Sequence, residues 1–154
     1  MWDWYTGMPV WKNQNPWTSL RGFFYDYYLD YTGAYFGYKH AAAPLHIQLN
    51  LYDSVVCVLN QTSRDLNNVT ASVTLYDLHG KSISEYSKAV SLKANNLTLL
   101  NKVVLPETLT EELYFLKLIL RDKENIIDEN LYWLSNKPKS YAKLNELTEV
   151  TLKT

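Results

Sequence analysis

The sequence has a single cysteine, Cys57, among 154 residues, so no disulfide can form within the chain. Charge of one sign is missing as well. Fifteen Lys and Arg against 16 Asp and Glu leave a formal charge of −1. That balance excludes the basic footprint of a nucleic-acid binder and offers an anionic membrane nothing to attract. No apolar run approaches the roughly 18 residues of a membrane span, and the N-terminus lacks the basic-then-apolar order of a secretory signal. Glycine and proline are scarce, with five of each. No low-complexity tract occurs, and no internal repeat beyond a strand-like rhythm. The remaining composition, 47% hydrophobic and 20% charged, is that of a globular chain with one good core.

What is abundant is aromatic surface, and it is concentrated. Residues 1–44 carry 14 Trp, Tyr or Phe, and the remaining 110 carry eight. A soluble domain does not usually begin with so many rings unless something covers them. The opening therefore reads as the inside of a larger domain whose chemistry lies outside this sequence. The composition changes at Pro44. Before it come four of the five glycines (Gly7, Gly22, Gly33, Gly37), together with Pro9 and Pro16. After it come Val, Leu, Ile and Thr in short alternating runs.

Those runs predict strands at Leu45–Tyr52, Ser54–Thr62, Val69–Asp77, Ser82–Leu92, Leu97–Leu105, Tyr114–Arg121 and Ile126–Leu134. The alternation is clearest twice. Val69, Ala71, Val73 and Leu75 share one face. Tyr114, Leu116, Leu118 and Leu120 share another, leaving Lys117 and Arg121 to solvent. Polar turns (SRDLNN, DLHG, KANN, PETLTEE, RDKEN) recur between them. About seven short strands in roughly 100 residues predict an immunoglobulin-like β-sandwich over 45–136, without the Cys…Trp…Cys pattern of antibody domains. In the first part, Pro9-Val10-Trp11 suits a short buried strand that Asn15-Pro16 ends. Leu20–Leu29 suits a short helix or irregular packing. Ala34–Ala43 suits a helix, with Thr32 as N-cap and Pro44 as its stop. Strand, loop and helix before a sandwich is how the last unit of a (β/α)8 barrel would end. The fold expected is thus mainly β, with residues 1–44 as the last strand and helix of a truncated barrel. Residues 137–154 read as a weakly ordered polar tail.

Several letters now carry a family resemblance. Trp11 and Trp17 frame WKNQNPW, Tyr25-Asp26-Tyr27-Tyr28 follows, and Gly33–Gly37 reads GAYFG with Lys39 behind it. Pro44-Leu45-His46 stands at the junction. This run resembles glycoside hydrolase family 2, in its β-mannosidase and exo-glucosaminidase branch. Gln14 stands where that branch commonly has Asn, and Thr18 where it has Pro. Both letters are similar to the plant-type mannosylglycoprotein endo-β-mannosidases. The resemblance implies a retaining enzyme that uses two glutamates about 5 Å apart, an extracytoplasmic parent, and a glycan partner reached through the missing barrel. It also implies that the pair is not here. Residues 1–44 contain no Glu, and the eight glutamates lie at 85, 107, 111, 112, 124, 129, 146 and 149. This segment is expected to be non-catalytic alone and to buttress the barrel.

Trp11 is the candidate for substrate contact, since barrel strands end at the active site and an indole face suits a sugar ring; the alternative is packing between the last strand and helix. Gln14 and Asn15 are candidates for bonding sugar hydroxyls, or for satisfying a turn. Trp17 reads as structural. His40 and His46 lack a third ligand at useful spacing, so no metal is expected, and no cofactor. His79 reads as a turn residue, Cys57 as a small buried apolar residue, and Asp26 as a turn anchor or partner of Arg21. Asn60, Asn68 and Asn96 open three glycosylation sequons, which chance alone explains in a chain so rich in Asn and Thr. The exposed aromatic segment offers a route to self-association. The alternative to the glycosidase reading is a stand-alone immunoglobulin-like module that binds a glycan or a protein; a row of exposed sandwich rings would favour it.

Overall fold

The alternating runs after Pro44 become seven strands: β1 (Leu45–Asn50), β2 (Val55–Asn60), β3 (Leu66–Tyr76), β4 (Ser82–Leu92), β5 (Asn96–Lys102), β6 (Leu113–Asp122) and β7 (Asn125–Ser135). The computed structural model describes residues 9–11, 13–14, 24–105, 113–136 and 141–147. Two compact units divide the chain, residues 1–43 and residues 44–154.

In the second unit the strands form two antiparallel sheets, ordered β1-β2-β5 and β4-β3-β6-β7. One side chain in two points inward, and those side chains make the core. Ile47, Val56 and Val58 come from the first sheet, and Val69, Leu75, Tyr114, Leu116, Leu118 and Leu120 from the second. The last four are fully buried, as period-two spacing requires of a strand with one dry face. This is the mainly β, immunoglobulin-like architecture that the turn spacing predicts.

Strand ends differ from the pattern where side chains make turns. β1 stops at Asn50 because Ser54 N–H returns to the Asn50 carbonyl at 2.8 Å, and Asp53 Oδ1 accepts from Val55 N–H at 3.0 Å. β3 begins at Leu66, three residues before the expected start. Leu66 pairs with Leu92 and Val69 with Val90, so a bulge at Asn67 and Asn68 carries the strand through what reads as a turn. Asn68 takes a φ of 61° there, a conformation that asparagine tolerates better than most residues. Asp77 closes the β3–β4 hairpin by accepting from His79 and Lys81 N–H at 2.9 and 2.8 Å, so His79 is a turn residue. Within the expected polar tail, Ala142–Glu146 forms a short 3-10 helix.

The first unit is organised around one helix, α1 (Gly33–Ala41). Thr32 precedes it with extended backbone, but its hydroxyl makes no side-chain cap and instead donates to the Phe24 carbonyl at 3.4 Å. The helix ends as Ala42 N–H bonds the Tyr38 carbonyl, and Pro44 has no N–H with which to continue it. Phe24–Leu29, the described part of 20–29, is not helical. Asp26 Oδ1 accepts from Tyr28 N–H at 2.8 Å and Asp30 N–H at 3.0 Å, which holds Leu29 at a φ of 68°. Such a conformation costs a leucine on the order of 1 kcal/mol, and the doubly used carboxylate offsets it. The short strand expected at Pro9-Val10-Trp11 is not formed. Among the described residues this unit has only isolated bridges, Gln14 with Tyr25 and Tyr25 with Tyr31. A strand needs a neighbour to take its N–H and C=O groups.

Candidate functional site

Ring packing shapes the first unit. Tyr31 stacks on Tyr35 at 4.2 Å between centroids, Tyr25 tilts against both, and Phe24 meets Tyr38 at 4.9 Å. Between these rings opens a cleft of about 500 Å3, walled by Phe24, Tyr25, Tyr35 and Tyr38 and completed by Val10, Asn13 and Lys39. Phenols, one amide and one ammonium can stack on a sugar ring and bond its hydroxyls. Among the described residues the lining holds no carboxylate, so the cleft lacks the carboxyl pair of a retaining glycosidase.

Of the residues predicted to touch substrate, Trp11 is 86% exposed and Gln14 is exposed beside the Tyr25 bridge. Neither lines the cleft. Asn15 and Trp17 lie outside the described residues, as does Arg21. Asn13, which the sequence pattern passes over, does line it, because its carbonyl accepts Tyr25 N–H at 3.0 Å and brings two distant segments together. No local pattern announces that pairing. Asp26 serves its turn, as its setting among aromatics suggests.

A second concentration of polar groups lies inside the sandwich. β1 is an edge strand, and β7 side chains take its outward backbone groups. Ile47 N–H donates to Asp128 Oδ2 at 2.8 Å, Leu49 N–H donates to the Tyr132 hydroxyl at 3.1 Å, and Asn130 Nδ2 donates to the Ile47 carbonyl at 3.3 Å. His46 Nδ1 lies 2.9 Å from Asp128 Oδ2, with both side chains about 5% exposed. Its Nε2 lies 3.4 Å from Asn130 Nδ2. Burial holds the Tyr132 phenol above its ordinary pKa, against the lowering hydrogen bond from Leu49. These side chains do the work of a missing strand, and sequence reading missed the network because its members are some 80 residues apart.

Cys57 is buried, and burial raises its thiol pKa against a lowering bond from Gln48, leaving it a poor nucleophile. Asn60 is fully buried, with Nδ2 bonded to the carbonyls of Arg64 and Lys93 and Oδ1 to Thr62, so the first sequon is not presented to solvent.

Comparison with known proteins connects the fold to a family. Residues 54–139 match the family described as Mannosidase Ig/CBM-like domain. Mannosylglycoprotein endo-β-mannosidase of Lilium longiflorum is 39% identical over 144 residues, which are 87% of this chain and 14% of that protein. Exo-β-D-glucosaminidase of Amycolatopsis orientalis is 37% identical over 139 residues, 86% of this chain and 13% of that protein. The crystal structure of Amycolatopsis orientalis exo-chitosanase CsxA superposes with a TM-score of 0.75 at 36% identity, covering 82% of this chain and 15% of that one. The chain therefore spans about one seventh of the length of these relatives. With its seven-strand sandwich and this match over more than half its length, the chain belongs to the Mannosidase Ig/CBM-like domain family.

Proposed function

We propose that this chain is the immunoglobulin-like accessory region of a β-glycosidase that hydrolyses β-mannosyl or related β-glycosidic linkages. The observation that carries the reading is the coverage. Similarity at 39% identity runs through 87% of this chain but only 14% of the lily endo-β-mannosidase. In this reading residues 1–44 supply the last strand and helix of a (β/α)8 barrel, 45–136 the sandwich that buttresses it, and 137–154 a polar tail. The glycan substrate is met through the barrel, where Trp11, Gln14 and Asn15 contact the sugar. The exposed rings of the first unit, among them Tyr28 at 72% and Phe36 at 57%, also suit self-association when nothing else covers them.

The absence of glutamate from residues 1–44, and of any carboxylate among the described residues of the cleft lining, supports a segment that is non-catalytic alone. The purified chain is expected to leave 4-nitrophenyl β-mannoside at the buffer rate. Release of nitrophenol above that rate, abolished by Trp11→Ala, would overturn the reading.

A second reading, a free-standing module that binds a glycan or a protein, is favoured by one feature. Tyr76, Phe115 and Trp133 stand opposite one another on three adjacent strands.

A further inference from the structure

Tyr114 and Leu116 are fully buried, so Phe115 between them points to the outer face of the β4-β3-β6-β7 sheet. Direct register partners share a face. Tyr76 of β3 pairs with Phe115, and Phe115 pairs with Trp133 of β7. Three aromatic residues therefore share one face in a row across three strands, Tyr76 and Phe115 half-buried and Trp133 exposed, and span roughly 10 Å at the usual strand spacing. Trp133 is 57% exposed, and Leu131, next along its face, is 56% exposed. The adjacent row of the same face runs Glu85, Thr74, Lys117 and Leu131, and is polar on its first three strands. Thr74 pairs with Glu85 on one side and Lys117 on the other, and Lys117 Nζ lies 3.3 Å from Glu129 Oε2.

We propose that this face is a binding platform for an uncharged β-linked oligosaccharide, an inference that rests on the second reading above. A pyranose ring offers an apolar C–H face that stacks on aromatic rings and an equatorial edge of hydroxyls that needs donors and acceptors. The two rows supply those surfaces side by side. Charge points the same way. Glu129 meets the Lys117 charge, and the chain as a whole is at −1, so the face has no field with which to gather a polyanion. Size argues against a protein. The exposed parts of the three rings and Leu131 amount to on the order of 300 Å2, well short of the roughly 800 Å2 per partner of a standard protein interface.

The test titrates the whole chain with β-1,4-mannohexaose by calorimetry and tryptophan fluorescence, with fully protonated glucosamine hexamer as comparator. Saturable binding of mannohexaose is expected. Trp133→Ala should weaken it at least tenfold, Trp133→Tyr by only a few-fold, and Lys117→Ala by several-fold. Tyr52→Ala, in the β1–β2 turn of the other sheet and 97% exposed, should leave it unchanged. Melting curves for each variant establish that the fold is retained. Binding that survives Trp133→Ala overturns the platform but leaves a glycan-binding module standing, whereas no binding at millimolar sugar removes both. Preference for the glucosamine hexamer overturns the ligand class. A concentration-dependent dimer abolished by Trp133→Ala makes the occupant a second copy and also overturns the proposal.

Discussion

Tyr114 and Trp11 show how differently the two units treat a large ring. Tyr114, in the sandwich, is fully buried, while Trp11, in the aromatic unit, is 86% exposed. The difference is one of layers. A strand in the sandwich has a second sheet to receive its inward side chains, and thirteen residues join in one buried cluster. The aromatic unit has a helix of nine residues with none of them buried, and its rings pack against one another at the surface. Richness in apolar side chains does not by itself make a core; two opposed layers do.

The largest effect expected from this contrast is at the sandwich centre. Leu118→Ala should cost about 3 kcal/mol, while Phe36→Ala in the helix should cost under about 1 kcal/mol, both read from denaturant midpoints. Equal losses would erase the contrast. Asp128→Ala should come next, because it strips Ile47 N–H and His46 of a buried partner at once. Removing one member of a buried pair costs about 3 kcal/mol, less here where water can enter at the sheet edge. Amide exchange at Ile47 would rise selectively, and an unchanged exchange rate would mean that the β7 side chains do not seal the β1 edge.

The smallest effect is at the surface. Asp65 accepts from Lys93 Nζ and from Ala94 N–H, both at 2.8 Å, and these bonds hold its carboxyl below the usual carboxylate range, the Lys93 bond contributing most. A group whose pKa is lowered by folding adds stability that is fully present above its unfolded value, about 3.9, and lost as pH falls through the lower folded value. Lys93 is shifted up by the same pair, so its share is present below its unfolded value, about 10.4, and lost as pH rises through the folded one. Asp65→Asn should therefore narrow a slight stability difference only below about pH 4 and above about pH 10, in melting temperatures taken at low salt. The pair is solvent-exposed, and added salt should erase the effect.

Much of the sandwich was legible in one dimension. Leu116, Leu118 and Leu120 alternate with Lys117 and Arg121, and a strand with one dry face admits no other pattern. The bulge at Asn67 and Asn68 was not legible, because two polar residues read as a turn whether or not a partner strand runs past them. In the aromatic unit Asp26 could be read as a turn anchor, since a carboxylate two and four residues from waiting N–H groups acts locally. The strand at Pro9-Val10-Trp11 could not be decided locally, since it depends on a neighbour. Asn13 entered the cleft lining through its bond to Tyr25, which no neighbouring letters encode.

By itself the sequence determined the alternation that makes seven strands, the turns that separate them, the family resemblance of the aromatic opening, and the absence of glutamate from that opening. Each of these is a property of adjacent residues or of composition. The tertiary structure decided which rings are covered, that Asp128, Asn130 and Tyr132 close the edge of β1, and that Tyr76, Phe115 and Trp133 form one row. Those depend on register between segments as many as 83 residues apart, and register is chosen by the packing of whole sheets rather than by any local preference.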